Sequence, residues 1–101
     1  MTAVAQSINS VPIRLPDERW EHITQRHADL LGQQEILLET ISNPLRILQG
    51  NENALMAIQE IKPGKWLVVV YKEENINDGF VITAFSTRKI NALNRRQQLW
   101  P

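Results

Sequence analysis

The run WLVVVYK at residues 66–72 decides the fold, because it is the clearest strand signal in the chain. Its centre is continuously apolar and rich in β-branched residues, which is typical of a strand that is buried on both faces. The preceding segment, from Lys62 to Lys65, places Pro63 and Gly64 at the two central positions of a type II turn. Such short connections favour an antiparallel meander around this strand.

Three further strands are predicted beside this run. The segments LRILQ at 45–49 and ALMAIQEI at 54–61 are separated by the turn-forming residues 50–53, which favours a hairpin. On the other side, a polar loop leads into FVITAFST, which predicts a fourth strand over about residues 79–87. The tail predicts a helical turn near residues 89–96 and a brief final strand.

Two helices are predicted before the strands. Pro16, followed by two acidic residues, is typical of a helix N-terminus, and Gly32 has the position expected of a glycine just beyond a helix end. The segment QQEILLETI at 33–41 predicts a second, shorter helix that the Asn43-Pro44 pair stops. Upstream of both helices, VPIRL at 11–15 suits a short strand.

These elements predict one α+β domain over residues 11–101, in which two N-terminal helices pack on a four-stranded antiparallel meander sheet. A short helix or strand completes its C-terminal end. Residues 1–10 are small and polar with no helical or strand period, and they predict a flexible arm. A single core is expected between the first helix and one sheet face. Its members are Trp20, Ile23, Leu30, Leu37, Ile41, Leu55, Ile58, Val68, Val70, Val81 and Phe85.

The composition narrows the classes of function. With 11 Lys and Arg against 11 Asp and Glu, the net charge is zero, so bulk charge supplies no long-range attraction to nucleic acid or to an anionic membrane. The absence of cysteine excludes disulfides, thiolate metal sites and a cysteine nucleophile. No apolar run approaches the roughly 18 residues that span a bilayer, and the common nucleotide-binding, zincin and serine-hydrolase motifs are missing. We therefore expect a cytoplasmic protein with no membrane partner, no metal ion and no cofactor.

His27 is a polar residue in an apolar pattern. Positions at 100° intervals from Trp20 put His27 within the apolar stripe of the first helix, whereas His22 lies on roughly the opposite side. Two interpretations are open: a structural histidine that hydrogen-bonds a strand carbonyl or a threonine, or a general base working near neutral pH. Because the two rings point about 140° apart, they do not easily share one metal ion.

Hydroxyl side chains collect on the fourth strand. Alternation puts Thr83 and Thr87 on one sheet face together with Val81 and Phe85, and it brings Thr83 near the helix that carries His27. These threonines are candidate site residues, but threonine in a strand is also an ordinary strand former.

A cationic strip follows this strand, and no acidic residue occurs after Asp78. Its members are Arg88, Lys89, Arg95 and Arg96. The strip suits a phosphate group, and it equally suits a solvated charged surface. Tyr71, at the end of the neighbouring strand, could stack on a base or donate its hydroxyl, and a tyrosine at the rim of the core explains it equally well.

Four segments together resemble a known superfamily. RWEHI at 19–23, QRH at 25–27, VYK at 70–72 and ITAFSTRK at 82–89 are similar to the barnase–EndoU–colicin–RelE superfamily, in particular to small phage-like and toxin-like nuclease domains of bacteria. The resemblance covers about residues 14–100 in the order of the elements. It implies a metal-independent endoribonuclease of toxin type, with RNA and a protein such as an antitoxin as partners.

The resemblance also implies a site and a reaction. It assigns catalysis to His27, Thr83, Thr87 and Arg88. It assigns substrate binding to Arg26, Tyr71 and Lys89. In the implied reaction a ribose 2′-hydroxyl attacks the adjacent phosphate, which needs proton exchange at the histidine and positive charge on the phosphate.

The alternative is a non-catalytic protein-interaction module with the same fold, which binds through an exposed edge strand or through the Trp100 end. The zero net charge favours it. The two functions predict different surfaces. A nuclease predicts a cationic concavity that joins His27 to Arg88, whereas an interaction module predicts a flat apolar patch.

Overall fold

The protein, seen in a computed structural model that describes all residues from Met1 to Pro101, is built on one seven-stranded mixed sheet. In chain order the elements are β1 (Thr2–Gln6), β2 (Pro12–Pro16), α1 (Asp17–Arg26), a 3₁₀ turn (Ala28–Leu30), α2 (Gln34–Ser42), β3 (Arg46–Gln49), a second 3₁₀ turn (Asn51–Asn53), β4 (Leu55–Lys62), β5 (Lys65–Asn75), β6 (Asp78–Thr87), α3 (Ile90–Asn94) and β7 (Gln98–Trp100). The strands lie in the order β1-β2-β6-β5-β4-β3-β7. None of the helices is long and apolar enough to cross a bilayer.

The predicted fold class was wrong. The sequence predicted four antiparallel strands, whereas β1, β2 and β7 extend the sheet to seven strands. The sheet is mixed because β2 runs parallel to β6, while the other neighbouring strands are antiparallel. The four predicted strands occupy the middle of this sheet as β3 to β6. Short-range strand patterns do not reveal the parallel pair, because α1, α2 and three strands separate its members along the chain.

Residues 1–10, predicted to be a flexible arm, contain β1. This strand pairs with the whole of β2, from Thr2 opposite Pro16 to Gln6 opposite Pro12. Its more buried positions carry only alanine, so the apolar alternation that marks a strand is weak in the sequence. After the strand, the Ser7 hydroxyl donates a hydrogen bond of 2.6 Å to the carboxylate of Glu73 on β5, which ties this hairpin to the central sheet.

Two hydrophobic clusters lie on opposite faces of the sheet, so the predicted single core is divided. The face covered by α1, the first 3₁₀ turn and α2 is called the helix face. Of the predicted core, it buries Ile23, Leu30, Leu37, Ile41 and Val81. The opposite face, partly covered by α3, buries Ile58 and Val68, with Val70 and Phe85 packed at its margin. The sheet therefore has a larger core on its helix face, with 14 buried residues, and a smaller one of five on the opposite face.

α1 starts directly after Pro16, close to the predicted position, but it ends at Arg26. His27 follows as the C-terminal cap, and its backbone N–H donates to the carbonyl oxygen of Ile23 at 2.8 Å. The chain then tightens into the first 3₁₀ turn, which buries Leu30 on the helix face. The prediction that His27 lies within the helical stripe was therefore wrong, because the helix stops one residue earlier.

A short parallel junction between β2 and β6 attaches the N-terminal hairpin to the rest of the sheet. Only Ile13 and Arg14 pair with β6, opposite Gly79 and Phe80. Gly79 permits this approach, since a Cβ atom there would lie 2.5 Å from the carbonyl oxygen of Lys72 and 2.6 Å from Cδ1 of Ile13. The junction thus depends on the absence of a side chain at Gly79.

Beyond this junction the edge of β6 has no strand partner. α1 and the first 3₁₀ turn contact β6 there instead. Across the junction the Arg14 guanidinium binds the Asp78 carboxylate through Nε and Nη2, at 2.7 and 3.2 Å. The end of α1, with His27, lies beside the unpaired edge of β6.

The Gly79→Ala substitution should destabilise the fold by about 2 kcal/mol or more, because the added methyl group meets backbone that cannot move aside cheaply. Urea unfolding measures the decrease in the free energy of unfolding. Faster amide exchange in β1 and β2 than in β4 and β5 should accompany it. Gly32→Ala is the control, since its methyl group meets open space and only the positive φ of 78° opposes it, at about 1 kcal/mol. Equal losses in the two variants would contradict the role of the junction.

Candidate functional site

The part of the second sheet face that α3 leaves uncovered forms a surface, here called the open face. It consists of Val70 and Lys72 from β5 and of Phe80, Thr83 and Phe85 from β6, as the register of these strands requires. All five side chains are partly accessible. Two aromatic rings, a hydroxyl and an ammonium group therefore share one side of two adjacent strands.

A β-bulge in β6 places both phenylalanines on the open face. The register shifts so that Ile82 has no partner on β5. With strict alternation Phe80 and Phe85 would point to opposite faces, because their positions differ by five, an odd number. The same bulge explains why Val81, predicted to share a face with Thr83, is buried on the helix face instead.

A cavity of about 460 Å³ lies against the open face. The sheet side of this cavity includes Val70, Thr83 and Phe85, and the segment 50–54 forms another part of its wall. Arg96 completes the lining on the C-terminal side of α3. The cavity is large enough for a nucleotide-sized ligand.

Arg96 is a positively charged residue of the cavity lining whose side chain is held in place by hydrogen bonds. Its Nη1 atom donates to the carbonyl oxygen of Gln49 at 3.1 Å and to Oδ1 of Asn51 at 3.2 Å. Both partners are neutral, and Arg96 takes part in neither of the two ion pairs of the protein. The remaining N–H groups on Nε and Nη2 are thus available to an anion, with Glu52 as the single acidic side chain in the lining.

His27 lies half-buried at the unpaired edge of β6, with its ring beside Phe85. The two ring centroids are 6.3 Å apart and the ring planes are inclined by 40°, a common arrangement for neighbouring aromatic rings. Because Phe85 also lines the cavity that contains Thr83, it links His27 to that cavity. His27 itself lines none of the cavities, so Phe85 is its connection to the cavity that contains Thr83.

Asp29 and Ser86 tie the first 3₁₀ turn to β6. The Ser86 hydroxyl donates to Oδ2 of Asp29 at 2.5 Å. This hydrogen bond lowers the pKa of the Asp29 carboxyl below its ordinary value, and the positive charge of Lys65 and the proximity of His27 lower it further, although partial desolvation opposes the shift. An ionised carboxylate therefore stays two residues from His27 and holds that segment against the strand.

Thr87 and Arg88 lie apart from this group. The Thr87 hydroxyl oxygen accepts the backbone N–H of Lys89 at 3.0 Å and so closes the turn after β6. Nη1 of Arg88 donates to the carbonyl oxygen of Pro63 at 3.4 Å, at the turn between β4 and β5. None of the cavities is lined by both His27 and Arg88, so the concavity expected to join them is not formed.

Two other predicted binding residues lie outside the open face. Tyr71 is fully buried on the helix face, where its hydroxyl has no hydrogen-bond partner and burial raises its pKa well above the ordinary value. Its ring offers no surface for stacking on a base. Arg26 is exposed at the last position of α1, next to His27 in the chain.

Two further recesses lie at the ends of β6. The first, a cleft of about 470 Å³ at the start of the strand, is lined by Phe80, Val81 and Pro16 and by the polar residues Arg14, Glu18, Arg19 and His22. The second, a groove of about 320 Å³ beyond the end of the strand, is lined by Arg88, Lys89, Arg95 and three residues of α3. Both recesses carry unpaired basic side chains.

Sequence reasoning missed three features of the site. Phe80 was not predicted to share a face with Phe85, because the bulge reverses the face on which Phe80 lies. Arg96 was visible as part of the cationic strip, but nothing in the sequence places it beside Thr83 rather than with the other basic residues. The Asp29–Ser86 hydrogen bond joins residues 57 positions apart, and no local sequence pattern around either residue predicts it.

Comparisons with known proteins do not add to this geometry. No family model matches the chain, and neither the search of curated proteins nor the search of solved structures found a match. The function is therefore inferred from the side chains themselves.

Replacing Ser86 with alanine should raise the pKa of Asp29 toward its ordinary value, because the largest cause of the lowered pKa is lost. The hydrogen bond favours the ionised carboxylate. Its contribution to stability is therefore complete above the unfolded-state pKa, about 4, and is lost as the pH falls through the lower folded-state pKa. Carbon-detected NMR titration gives the pKa, and urea unfolding across this acid range gives the stability.

Ser42→Ala, which removes a partly buried serine at the end of α2, is the matched control and should leave the pKa of Asp29 unchanged. An Asp29 pKa that is equal in the Ser86→Ala variant and in the wild-type protein would show that the hydrogen bond does not form.

Proposed function

We propose that this chain is a ribonuclease-like domain that binds single-stranded RNA on the open face and cleaves it through the ribose 2′-hydroxyl. The single observation that carries the proposal is the grouping of Phe80, Thr83 and Phe85 on one accessible sheet face, next to His27 and Arg96. These side chains supply a stacking surface, a hydrogen-bond donor, a proton acceptor and a cation, which are the groups that this reaction uses.

Phenylalanines on an accessible sheet face suit unpaired bases. Stacking of a base on an aromatic side chain contributes roughly 1–3 kcal/mol and tolerates every base, so two such rings favour binding of at least two nucleotides with little sequence preference. Lys72 lies opposite Phe80 on the neighbouring strand and supplies positive charge beside this ring. Because the net charge of the chain is zero, attraction for RNA is confined to such local groups.

In the proposed reaction, a neutral ring nitrogen of His27 accepts the proton of the 2′-hydroxyl while the 2′-oxygen bonds to phosphorus. The bond from phosphorus to the 5′-oxygen breaks, and that oxygen takes a proton from water, which leaves a 2′,3′-cyclic phosphate and a 5′-hydroxyl. The free N–H groups of Arg96 and the hydroxyl of Thr83 stabilise the negative charge that develops on the phosphate.

Of the predicted catalytic residues, this assignment retains His27 and Thr83. It gives the role of phosphate-binding cation to Arg96 in place of Arg88. The placement of Arg88 over Pro63 is the reason for the change. The resemblance of residues 14–100 to the barnase–EndoU–colicin–RelE superfamily supports the same reaction. With it, the proposal extends to a bacterial, cytoplasmic nuclease of toxin type that is paired with an antitoxin protein.

A second candidate is the non-catalytic interaction module, and one observation favours it. β1 forms an outer edge of the sheet, and its sequence TAVAQ contains no charged residue and no proline. Natural proteins usually protect a free edge with such residues, because the unpaired backbone groups accept a further strand. β1 therefore suits a partner that adds an extended segment to the sheet.

Purified protein should cleave a mixed RNA in excess EDTA and leave 2′,3′-cyclic phosphate ends, and His27→Ala should reduce the rate by at least about 100-fold, the usual contribution of a proton-transferring group. Gel analysis and mass spectrometry of the products measure this. Circular dichroism and urea unfolding check that the variant is folded.

Lys62→Gln is the control for this assay, because Lys62 is exposed and lines a recess on the helix face. It should cleave at the wild-type rate. A folded His27→Ala protein with undiminished activity would remove His27 from the mechanism. A wild type that does not cleave RNA, with a His27→Ala variant that is destabilised, would make His27 structural and favour the interaction module.

A further inference from the structure

We infer that the open face is the middle of a longer track for single-stranded RNA, which follows β6 from the cleft at Arg19 to the groove at Arg95. The inference rests on the proposed function and adds the length of the substrate. Its basis is that three separate recesses of the protein are lined by successive parts of one strand and its continuation.

The order of the recesses follows the order of residues along β6. Phe80 lines the cleft at the start of the strand, Thr83 and Phe85 line the cavity in the middle, and Arg88 and Lys89 line the groove at the end. β6 itself lines the cleft and the cavity, and the residues that directly follow it line the groove. The bulge supports this arrangement, because it turns Phe80 to the same side as Phe85.

The charges along the track suit a polyanion. The groove contains Arg88, Lys89 and Arg95 and no acidic side chain. In the cavity Arg96 faces one acid, Glu52. In the cleft Arg14 is paired with Asp78, and Arg19 lies with Glu18. The excess of positive charge therefore lies at the groove end of the track, and the groove, which has no aromatic ring, is suited to phosphates rather than to bases.

The length of the track gives the size of the substrate. From Phe80 to Arg88, at about 3.3 Å per residue and with one residue taken up by the bulge, the strand covers roughly 23 Å. A stacked single strand advances about 3.4 Å per nucleotide, so about seven stacked nucleotides span this distance, or about three if the backbone is extended to twice that spacing. Either number exceeds the two nucleotides that a cleavage site alone requires.

The test is the binding of fluorescein-labelled 2′-O-methyl oligouridylates of two, four, six and eight nucleotides, measured by anisotropy at one low salt concentration. The methyl group blocks cleavage, so binding is measured alone. Affinity should rise at least about tenfold between two and eight nucleotides, with most of the gain complete by about seven. Unmodified oligouridylates of the same lengths are assayed for cleavage in parallel.

Arg95→Gln should lower the ratio of the eight-nucleotide to the two-nucleotide affinity severalfold, because one phosphate contact is lost. Lys62→Gln makes the same change of charge on the helix face and should keep the wild-type ratio. An affinity ratio below about twofold in the wild type overturns the track. If short and long unmodified RNAs are then cleaved equally well, the proposed function stands without it.

A length-dependent affinity without cleavage of any unmodified RNA supports the track and contradicts the catalytic part of the proposed function. The two failures are therefore distinguishable in one set of measurements. Absence of binding at every length contradicts both the track and RNA as the substrate.

Discussion

The close approach of Ile13 to Gly79 is the contact on which the arrangement of the rest of the molecule depends. It joins the N-terminal hairpin to the central strands through only two residue pairs, after which β2 and β6 separate. That early separation leaves the later part of β6 without a strand partner, and α1 with its 3₁₀ turn fills the space. His27 and Asp29 reach β6 because no strand lies between.

The bulge at Ile82 is the second constraint. The proposed site needs both this bulge and the junction between β2 and β6. The junction brings an imidazole to the strand edge, and the bulge turns Phe80 to the face that already carries Thr83 and Phe85. Arg96 then supplies a cation that two neutral hydrogen-bond acceptors hold in place. A neutral chain can thus present a small cationic, aromatic surface, because Glu52 is the only acidic side chain in the lining of the cavity.

The sequence predicted those parts of the fold that rest on local patterns: the central strands from β3 to β6, the start of α1 and the second helix. It missed β1, whose inward residues are alanines, and the parallel pair, which depends on residues far apart in the chain. In the site, His27 was singled out because a polar residue stood in an apolar pattern. Phe80 and Arg96 were missed because a bulge and a tertiary contact, neither of which has a sequence period, decide their places.

The central claim is that RNA binds to the open face of the sheet, and chemical-shift mapping tests it most directly. A non-cleavable 2′-O-methyl dinucleotide is titrated into isotope-labelled protein, and the amide shifts of all assigned residues are followed. The account predicts shifts at Phe80, Thr83 and Phe85 and at the Arg96 side chain, with none in α2, which lies on the other side of the sheet. Shifts confined to the helix face or to the outer edge of β1 would contradict it.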